Sequence, residues 1–356
     1  MKATPSQPTA VIIGSGFFVP DNPVTNSALP STLNTSDDWI KQRTGVRQRY
    51  IAPNKALTAD LAVTAASRAL QQTGLAVEDI ELIIVATSTP DYAFPSTASL
   101  VRQALGSTAP AFDLSAACSG FAYALSVGSQ FIISGTYEHV LIIGAEKMSS
   151  LIDWQDRRTA VLFGDGAGAV VLQKQSSAYP AFFRLESEQA EPGLLHAPPK
   201  GPITMQGSEI FKFGVRILTQ AIQETLMQLR LQLEDIALII PHQANIRIIQ
   251  SASERLGIPM DKFFANIHQY GNTSSASIPI ALAEAVEQKR IHPGDLVMMV
   301  GFGAGLSWGV TVMQMSNNAL TLVHEAKDST TLVSPIIKNA LDEKSQKGAK
   351  ESLTAQ

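Results

Sequence analysis

Short apolar runs alternate with helical patterns along most of the chain. Continuous apolar runs at residues 140–144 and 297–301 each end in a glycine, and such runs are typical of strands buried on both faces. Helical patterns cover residues 58–73, 119–134, 214–229 and 246–256. Apolar strands that alternate with helices predict an α/β fold in which helices cover both faces of each sheet.

An internal repeat divides this pattern into two similar parts. The heptapeptide EDIELII at residues 78–84 recurs as EDIALII at residues 234–240, an offset of 234 − 78 = 156. A helical pattern precedes both copies at a matching distance, and an apolar run ending in glycine follows both. We therefore predict two duplicated α/β halves that pack face to face, at residues 1–175 and 176–316.

The remaining residues, 317–356, differ in kind and are interpreted as a C-terminal extension. Residues 339–356 contain no aromatic side chain and many charged or small polar ones, which predicts disorder. Just before them, Ser334 as N-cap and Pro335 at the first helical position predict a short helix over residues 334–341.

Composition and charge exclude several classes of protein. With 45% hydrophobic and 16% charged residues among 356, the chain is expected to be a compact soluble protein. The net charge of −4 argues against a broad nucleic-acid surface. No run approaches the roughly 20 apolar residues of a membrane span, and the first ten residues lack the pattern of a signal peptide. A cytoplasmic location without membrane contact is expected.

The single cysteine, Cys118, is either a small buried hydrophobe or a reactive thiol. It ends a short apolar stretch and opens the helical pattern at residues 119–134. At a helix start, free backbone amides and the helix dipole are expected to favour the thiolate. The small neighbours Ala116, Ala117 and Gly120 leave room for a substrate. This setting favours the reactive thiol.

One histidine and one asparagine stand where sites form in α/β proteins. His242 follows the apolar run of the second repeat, and strand ends of α/β sheets commonly carry sites. Asn272 lies among small residues that lead into a helix from residue 278; it is either functional or an N-cap. His268, four residues before Asn272, is the rival histidine. The other histidines have no recognisable chemical setting and are interpreted as surface or helix-end residues: His139, His196, His292 and His324.

Two glycine-rich stretches do not predict a dinucleotide site. Residues 164–169 fit the pattern G-x-G-x-x-A, but Val170, Val171 and Leu172 resemble a strand where that fingerprint requires a helix. Gly14 and Gly16 match more weakly.

Taken together, the motifs resemble the 3-oxoacyl-acyl-carrier-protein synthase III family of the thiolase superfamily, over nearly all of residues 11–315. The resemblance rests on TSDDWI at 35–40, RTGV at 43–46, ACSGF at 117–121, FGDGAG at 163–168, PHQAN at 241–245 and YGNTS at 270–274. It implies a five-layered αβαβα fold and a homodimer, with no metal or redox cofactor.

The resemblance also implies a reaction. Cys118 would take an acyl group from a short acyl-CoA, while the backbone amides of Cys118 and Ala304 hold the oxyanion. Malonyl-acyl carrier protein would then bind. His242 and Asn272 would stabilise the enolate formed as CO2 leaves, and its attack on the acylated Cys118 would give a 3-oxoacyl carrier protein and start fatty acid biosynthesis.

Other roles follow from the same resemblance. Trp39 would stack on the adenine of CoA, Arg43 and Arg157 would bind its phosphates, and Arg158 could replace Arg157. Gly207 and Ser208 would contact the pantetheine arm, although Ser208 stands where the family often has asparagine. Phe302 would border the acyl tunnel, with Phe94 reaching it from the partner subunit. The residues expected to dock the carrier protein, unless they are ordinary solvated helix surface, are Lys212, Arg216 and Arg247. Glu254 and Arg255 replace what is often a basic pair.

The sequence also has to be weighed against other functions. A thiolase needs a second cysteine and an elongating condensing enzyme needs a second histidine, and both are disfavoured. A specialised Cys-His-Asn enzyme with another starter or acceptor, as in quinolone or polyketide pathways, is not separated by the sequence. A non-catalytic partner subunit would be expected to lack one of Cys118, His242 and Asn272.

Overall fold

The computed structural model describes residues 7–177, 179–191, 193–199 and 201–316. The strands are β1 (Gln7–Phe18), β2 (Pro23–Thr25), β3 (Gln48–Tyr50), β4 (Leu82–Ala86), β5 (Ala111–Leu114), β6 (His139–Lys147), β7 (Asp165–Ser177), β8 (Phe182–Ser187), β9 (Leu195–His196), β10 (Thr204–Met205), β11 (Leu238–Pro241), β12 (Leu296–Gly303) and β13 (Ser307–Gln314). The α-helices are α1 (Asp37–Thr44), α2 (Thr58–Thr73), α3 (Thr97–Leu105), α4 (Gly120–Ile133), α5 (Arg157–Ala160), α6 (Gly207–Leu229), α7 (Ile246–Leu256), α8 (Ile267–Tyr270) and α9 (Ser277–Glu287). Over these ranges, no helix is both long enough and apolar enough to cross a membrane.

Two sheets with the same strand pattern form the centre of the fold. The larger has the order β1-β7-β6-β4-β5, and the smaller, read from its β8 edge, has the order β8-β13-β12-β11. Each begins with two antiparallel pairs, and the next pair is parallel. This agrees with the internal repeat. The boundary between halves at residue 175 stays a prediction, and β7 continues to Ser177.

Three layers of helices enclose the two sheets. Helices α4 and α9 lie between them, and their apolar residues, such as Phe121 and Leu282, share one core with strands of both sheets. Helices α2 and α3 pack on the outer face of the larger sheet, and α6 and α7 pack on that of the smaller. The predicted five-layered αβαβα fold is confirmed.

Most elements predicted from periodicity occur at or near the predicted positions. Helices α2 and α7 have the predicted bounds, and α4 is shorter by one residue at each end. Helix α6 begins at Gly207 rather than at residue 214. The predictions for the C-terminal extension, namely the helix at 334–341 and disorder at 339–356, fall outside the described residues, as does His324.

The glycine-rich stretches bring helices close to strands. A Cβ atom on Gly168 of β7 would lie 2.6 Å from the backbone nitrogen of Ile280 in α9. On Gly14 of β1 it would lie 2.6 Å from the carbonyl oxygen of Ala69 in α2. Residues 170–172 belong to β7, as predicted. These glycines therefore serve helix–sheet packing, and the strand after them excludes the dinucleotide fingerprint.

The two central helices begin in the same way. Ala117 has φ +47° and starts a one-turn 3-10 helix, Ala117–Ser119, that leads directly into α4. Ser274 has φ +50° and starts the 3-10 turn Ser274–Ala276, which leads directly into α9. Residues other than glycine rarely adopt this left-handed conformation. The two turns, which we call the Cys turn and the Asn turn, contact each other.

Candidate active site

Residues at or just beyond strand ends of both sheets, together with residues of the Cys turn and the Asn turn, line a cavity of about 520 Å³. Cys118 reaches it from the Cys turn, His242 from the end of β11, and Asn272 from just before the Asn turn. Such pockets between packed elements are the usual place for small-molecule sites. The residues singled out in the sequence that line the cavity are Trp39, Cys118, Arg157, Gly207, His242, Asn272, Phe302 and Ala304.

Cys118 lies in the Cys turn, which packs against the turn that follows β12. It is 8% exposed. A Cβ atom on Gly303 would lie 2.8 Å from Cys118 Cβ and 3.0 Å from its backbone nitrogen, so glycine is required for this close approach. The turn that carries Ala304 therefore lies directly against the backbone of Cys118.

The expectation that Cys118 is a thiolate is wrong for the free protein, because the side chain is buried. Although the thiol stands at a helix start, its pKa is raised from 9.0 to about 11, chiefly by burial and to a lesser extent by the nearby charge of Glu146. A hydrogen bond with Ser274 acts in the opposite direction. Desolvation of a thiolate outweighs the helix dipole here, so the free protein holds a neutral thiol.

The His242 ring is buried and held by a neighbouring hydroxyl. Its Nδ1 atom lies 2.7 Å from Ser277 Oγ, which also accepts a 3.3 Å hydrogen bond from the Gln243 backbone amide. Phe302 packs edge-on against the imidazole at a centroid distance of 5.3 Å. Burial lowers the pKa of His242 to about 3. The ring is therefore neutral near pH 7, and Nε2 is the nitrogen left for a ligand.

Asn272 is fixed through its backbone and its side chain. Its backbone amide donates to Leu162 O at 2.8 Å, and its carbonyl accepts from Gly164 N at 3.0 Å. Its side-chain Oδ1 accepts from the Ser274 amide at 2.8 Å, which leaves the Nδ2 hydrogens for another acceptor. The N-cap alternative for Asn272 is wrong: Thr273 is the N-cap of the Asn turn and Ala276 is that of α9, while Asn272 forms a local side-chain turn with the Ser274 amide.

Hydroxyl groups connect the Cys turn to the turn that carries Ala304. Ser119 Oγ donates to Ala116 O at 2.6 Å and lies 2.8 Å from Ser307 Oγ. Ser307 Oγ in turn lies 3.0 Å from Ala304 O. Sequence reasoning missed Ser307, as it missed Ser277, because each acts through a contact distant in sequence and has no local signal.

The mouth of the cavity carries an aromatic ring between two cations. The Arg43 and Arg157 guanidinium carbons lie 5.9 Å and 5.4 Å from the centre of the Trp39 ring. Arg158 also lines the cavity and pairs with Asp156. Gly207 lines the cavity wall, whereas the Ser208 hydroxyl is directed to Glu209 at 3.4 Å.

The residues predicted to contact a partner subunit or the carrier protein are exposed, and most of them contact a neighbouring side chain of this chain. Phe94 is 86% exposed, on the loop between β4 and α3. Lys212 pairs with Glu209 at 2.9 Å and Arg216 with Glu188 at 2.5 Å. The Arg247 guanidinium lies 5.3 Å from the centre of the Phe211 ring. These cations occupy the exposed surface of α6 and the start of α7.

The positions of the histidines show which of them line the cavity. His268 lies on α8 and its carbonyl accepts from the Arg47 amide, whereas His242 lines the cavity. His196 is exposed, as expected, but it also lines the cavity and lies 3.0 Å from Thr204 Oγ1. Its setting was missed because the two-residue strands β9 and β10 carry no periodicity.

Two family models match the chain. Residues 112–189 match the model described as 3-oxoacyl-[acyl-carrier-protein] synthase III, and residues 226–315 match its C-terminal counterpart. A beta-ketoacyl-[acyl-carrier-protein] synthase III of Bacillus pumilus is 47% identical over 307 residues, which cover 86% of this chain and 98% of that protein.

Solved structures agree with these matches. The 3-oxoacyl-[acyl-carrier-protein] synthase III of Aquifex aeolicus has a TM-score of 0.82 at 47% identity and covers 86% of this chain and 99% of that one. The priming beta-ketosynthase of the R1128 polyketide biosynthetic pathway has a TM-score of 0.79 at 33% identity, with 88% and 98% covered.

Proposed function

The chain belongs to the 3-oxoacyl-[acyl-carrier-protein] synthase III family, and we propose that it condenses an acyl group from acyl-CoA with malonyl-acyl carrier protein. The products are a 3-oxoacyl carrier protein, CoA and CO2, and the step initiates fatty acid biosynthesis. The observation that carries the proposal is the convergence of Cys118, His242 and Asn272 on one cavity.

Cys118 carries the acyl group in the first half-reaction. Its sulfur attacks the thioester carbonyl of acyl-CoA, the carbon–sulfur bond to CoA breaks, and CoA leaves with the proton that the thiol gives up. The backbone amides of Cys118 and Ala304 stabilise the negative oxygen of the tetrahedral intermediate. The contact between Gly303 and the Cys118 backbone supports this pairing of amides from two distant segments.

His242 and Asn272 act in the second half-reaction. Because Ser277 Oγ accepts from the Gln243 amide, we assign its hydrogen to Nδ1 of His242 and the ring proton to Nε2. Nε2–H and Asn272 Nδ2 then donate to the malonyl thioester oxygen, and the enolate forms as CO2 leaves. Its carbon attacks the acyl carbonyl on Cys118, and the Cys118 thiolate departs and is reprotonated.

The mouth residues bind the substrates. Trp39 offers a ring face to adenine, and the guanidinium groups of Arg43 and Arg157 suit phosphate oxygens. Gly207 allows the pantetheine arm to pass, with Ser208 beside it, and Phe302 borders the acyl group. Lys212, Arg216 and Arg247 form a local basic surface for an acidic carrier protein. Each of the first two already has an acidic neighbour, which weakens that surface.

A homodimer is the expected assembly. Strand β5 is the outer strand of the larger sheet within the described ranges, and an open edge is a ready site for strand pairing. Asp113 of β5 accepts hydrogen bonds from the backbone amides of Thr97 and Ala98 at 2.8 Å and 2.7 Å, which holds the Phe94 loop beside this edge. The exposed Phe94 can then reach a partner. The cytoplasmic location stays a prediction.

The covalent mechanism has a direct test. Purified protein incubated with a panel of radiolabelled acyl-CoA thioesters should retain label on Cys118, and Cys118→Ser should not. No labelling by any acyl-CoA, or equal labelling of the Cys118→Ser variant, would contradict the proposal.

A specialised pathway is the second candidate, because the R1128 priming beta-ketosynthase shares the fold at 33% identity. The acceptor distinguishes the two. Turnover of malonyl-acyl carrier protein by the acylated protein supports fatty acid initiation, whereas turnover of malonyl-CoA alone supports a specialised condensing enzyme.

A further inference from the structure

Glu146, near the end of β6, is a fully buried carboxylate that joins the two halves of the chain beside the cavity. Its side chain is 0% exposed. From its own half, Oε2 accepts from the Ser88 amide at 3.0 Å and from Thr89 Oγ1 at 2.8 Å. From the other half, Oε1 accepts from Ser275 Oγ at 2.8 Å and from the Ser275 amide at 3.4 Å.

These bonds hold the turn that follows Asn272. Ser275 is the middle residue of the Asn turn, and the turn begins with the left-handed Ser274. The amide of that same Ser274 donates to Asn272 Oδ1. A shift of the Asn turn would therefore move the hydrogen bond that orients the Asn272 amide. Strand β6 also lies against this turn, since a Cβ on Gly144 would be 2.5 Å from Ser275 O.

A buried carboxylate is costly unless its hydrogen bonds are specific. Among the described residues Glu146 takes part in no ion pair. Backbone amides, unlike hydroxyls, cannot rotate toward another acceptor. Because one backbone amide donates to each carboxylate oxygen of Glu146, both oxygens must act as acceptors. A carboxylate has two such oxygens, whereas an amide side chain has only one.

We propose that Glu146 is a positioning residue for Asn272, and that its carboxylate fixes the Asn turn so that Asn272 Nδ2 is presented to the malonyl group. This rests on the proposed function. The residue touches neither substrate in this scheme and acts through Ser275 and Ser274. Acyl transfer uses the amides of Cys118 and Ala304 instead, so loss of Glu146 should affect the two half-reactions unequally.

The test separates the half-reactions in Glu146→Gln. With one side-chain oxygen, glutamine must turn its NH2 group toward one of the two backbone amides, and the Asn turn shifts. A misplacement of this kind costs about tenfold to a hundredfold in rate. We expect condensation with malonyl carrier protein to fall by that factor, while CoA release on acylation of Cys118 should not fall, because loss of the Glu146 charge also lowers the pKa of the attacking thiol.

A second measurement needs no substrate. The Glu146 charge raises the pKa of Cys118, so Glu146→Gln should shift the pH profile of Cys118 alkylation to lower pH. The other titratable side chains that line the cavity with Cys118 are His196, His242, Arg157 and Arg158, and the substitution leaves them in place. Glu284→Gln is the matched control: it is also a buried glutamate, 8% exposed and bonded to Asn266, and should leave the profile unchanged.

Ser275→Ala covers the case in which Glu146→Gln does not fold. It removes the hydroxyl link to Glu146 while the carboxylate keeps Ser88 and Thr89, and it should show the same selective loss of condensation. Equal loss of both half-reactions, or wild-type condensation, in the variant that folds overturns the inference. If the wild-type protein performs neither half-reaction, the proposed function fails instead. An unshifted alkylation profile in Glu146→Gln would then mean that Glu146 carries no charge beside Cys118, and this would overturn the carboxylate on which the inference depends.

Discussion

The Cys118 thiol illustrates how burial competes with a helix start. Charge–dipole effects at a helix terminus are worth about 0.3–1 kcal/mol, whereas complete burial shifts pKa values by up to about 3–5 units at about 1.4 kcal/mol each. Burial raises the pKa of Cys118 to about 11. The thiolate is therefore disfavoured near neutral pH in the free protein.

This predicts the alkylation behaviour of the free protein. The rate of Cys118 alkylation by iodoacetamide should keep rising with pH toward about 11, because only the thiolate reacts. Mass spectrometry of quenched samples gives the rate at each pH, and a small free thiol is the control. A rate that levels off near neutral pH would contradict the raised pKa.

Sequence reasoning identified the residues at the cavity but not those that orient them. Cys118 lies in the Cys turn that leads into α4, His242 directly follows β11, and Asn272 lies two residues before the Asn turn. This local context was visible. Ser277 and Glu146 lie in contacts with partners 35 and 129 residues away. Such contacts depend on how the two sheets pack, which local patterns do not specify.

At the scale of elements, the Ser119–Ser307 hydroxyl pair joins the Cys turn to the start of β13. The two hydroxyls share three contacts: with each other, with Ala116 O and with Ala304 O. They therefore set the spacing between the amides of Cys118 and Ala304.

Ser307→Ala should selectively slow acylation. Loss of about 1 kcal/mol of hydrogen bonding from the alignment of the Ala304 turn corresponds to roughly a fivefold lower rate. Single-turnover CoA release measures this step. Thr311→Val, on the same strand β13, is the control, because Thr311 Oγ1 is buried without a hydrogen-bond partner among the described residues and its removal should be neutral. A normal acylation rate in Ser307→Ala would refute the alignment.

Elements with strong periodicity were predictable, and short ones were not. The predictable strands are continuous apolar runs that occur once in each half of the internal repeat: β4 and β6 in the first half, and β11 and β12 in the second. The β9–β10 hairpin, which forms part of the cavity wall, has two residues in each strand. The first turns of α6 resemble loop sequence because they include Gly207 and Ser208, and their helicity depends on tertiary packing.

For the whole molecule, the expected dimer gives a prediction about Phe94. Burial of a phenylalanine contributes about 1.5–3 kcal/mol. Because a two-fold interface buries the residue twice, Phe94→Ser should weaken self-association by at least about a hundredfold. Sedimentation over a concentration series measures this. Met227→Ser is the control, since Met227 is also exposed, at 74%, but lies on α6. Equal effects of both substitutions, or none, would contradict a Phe94 interface.

The buried His242 links global stability to pH. Its pKa of about 3 lies below the ordinary 6.5, so the unfolded chain binds a proton in this interval and the folded protein does not. Stability from this residue is complete above 6.5 and falls with pH, by about 3 kcal/mol at pH 4. Urea unfolding at pH 7 and pH 4 should show a smaller loss in His242→Gln. The exposed His292→Gln should lose as much as wild type, and identical losses in all three would exclude His242.

The matching Cys and Asn turns have a consequence for how such a site can arise. Two identical half-length chains related by a two-fold axis must carry the same residue at both turns, whether a thiol or a carboxamide. Fusion into one chain removes that constraint. One turn can then carry the acyl-holding thiol while Asn272, two residues before the other turn, becomes a hydrogen-bond donor, and a ping-pong cycle uses this difference between the two halves.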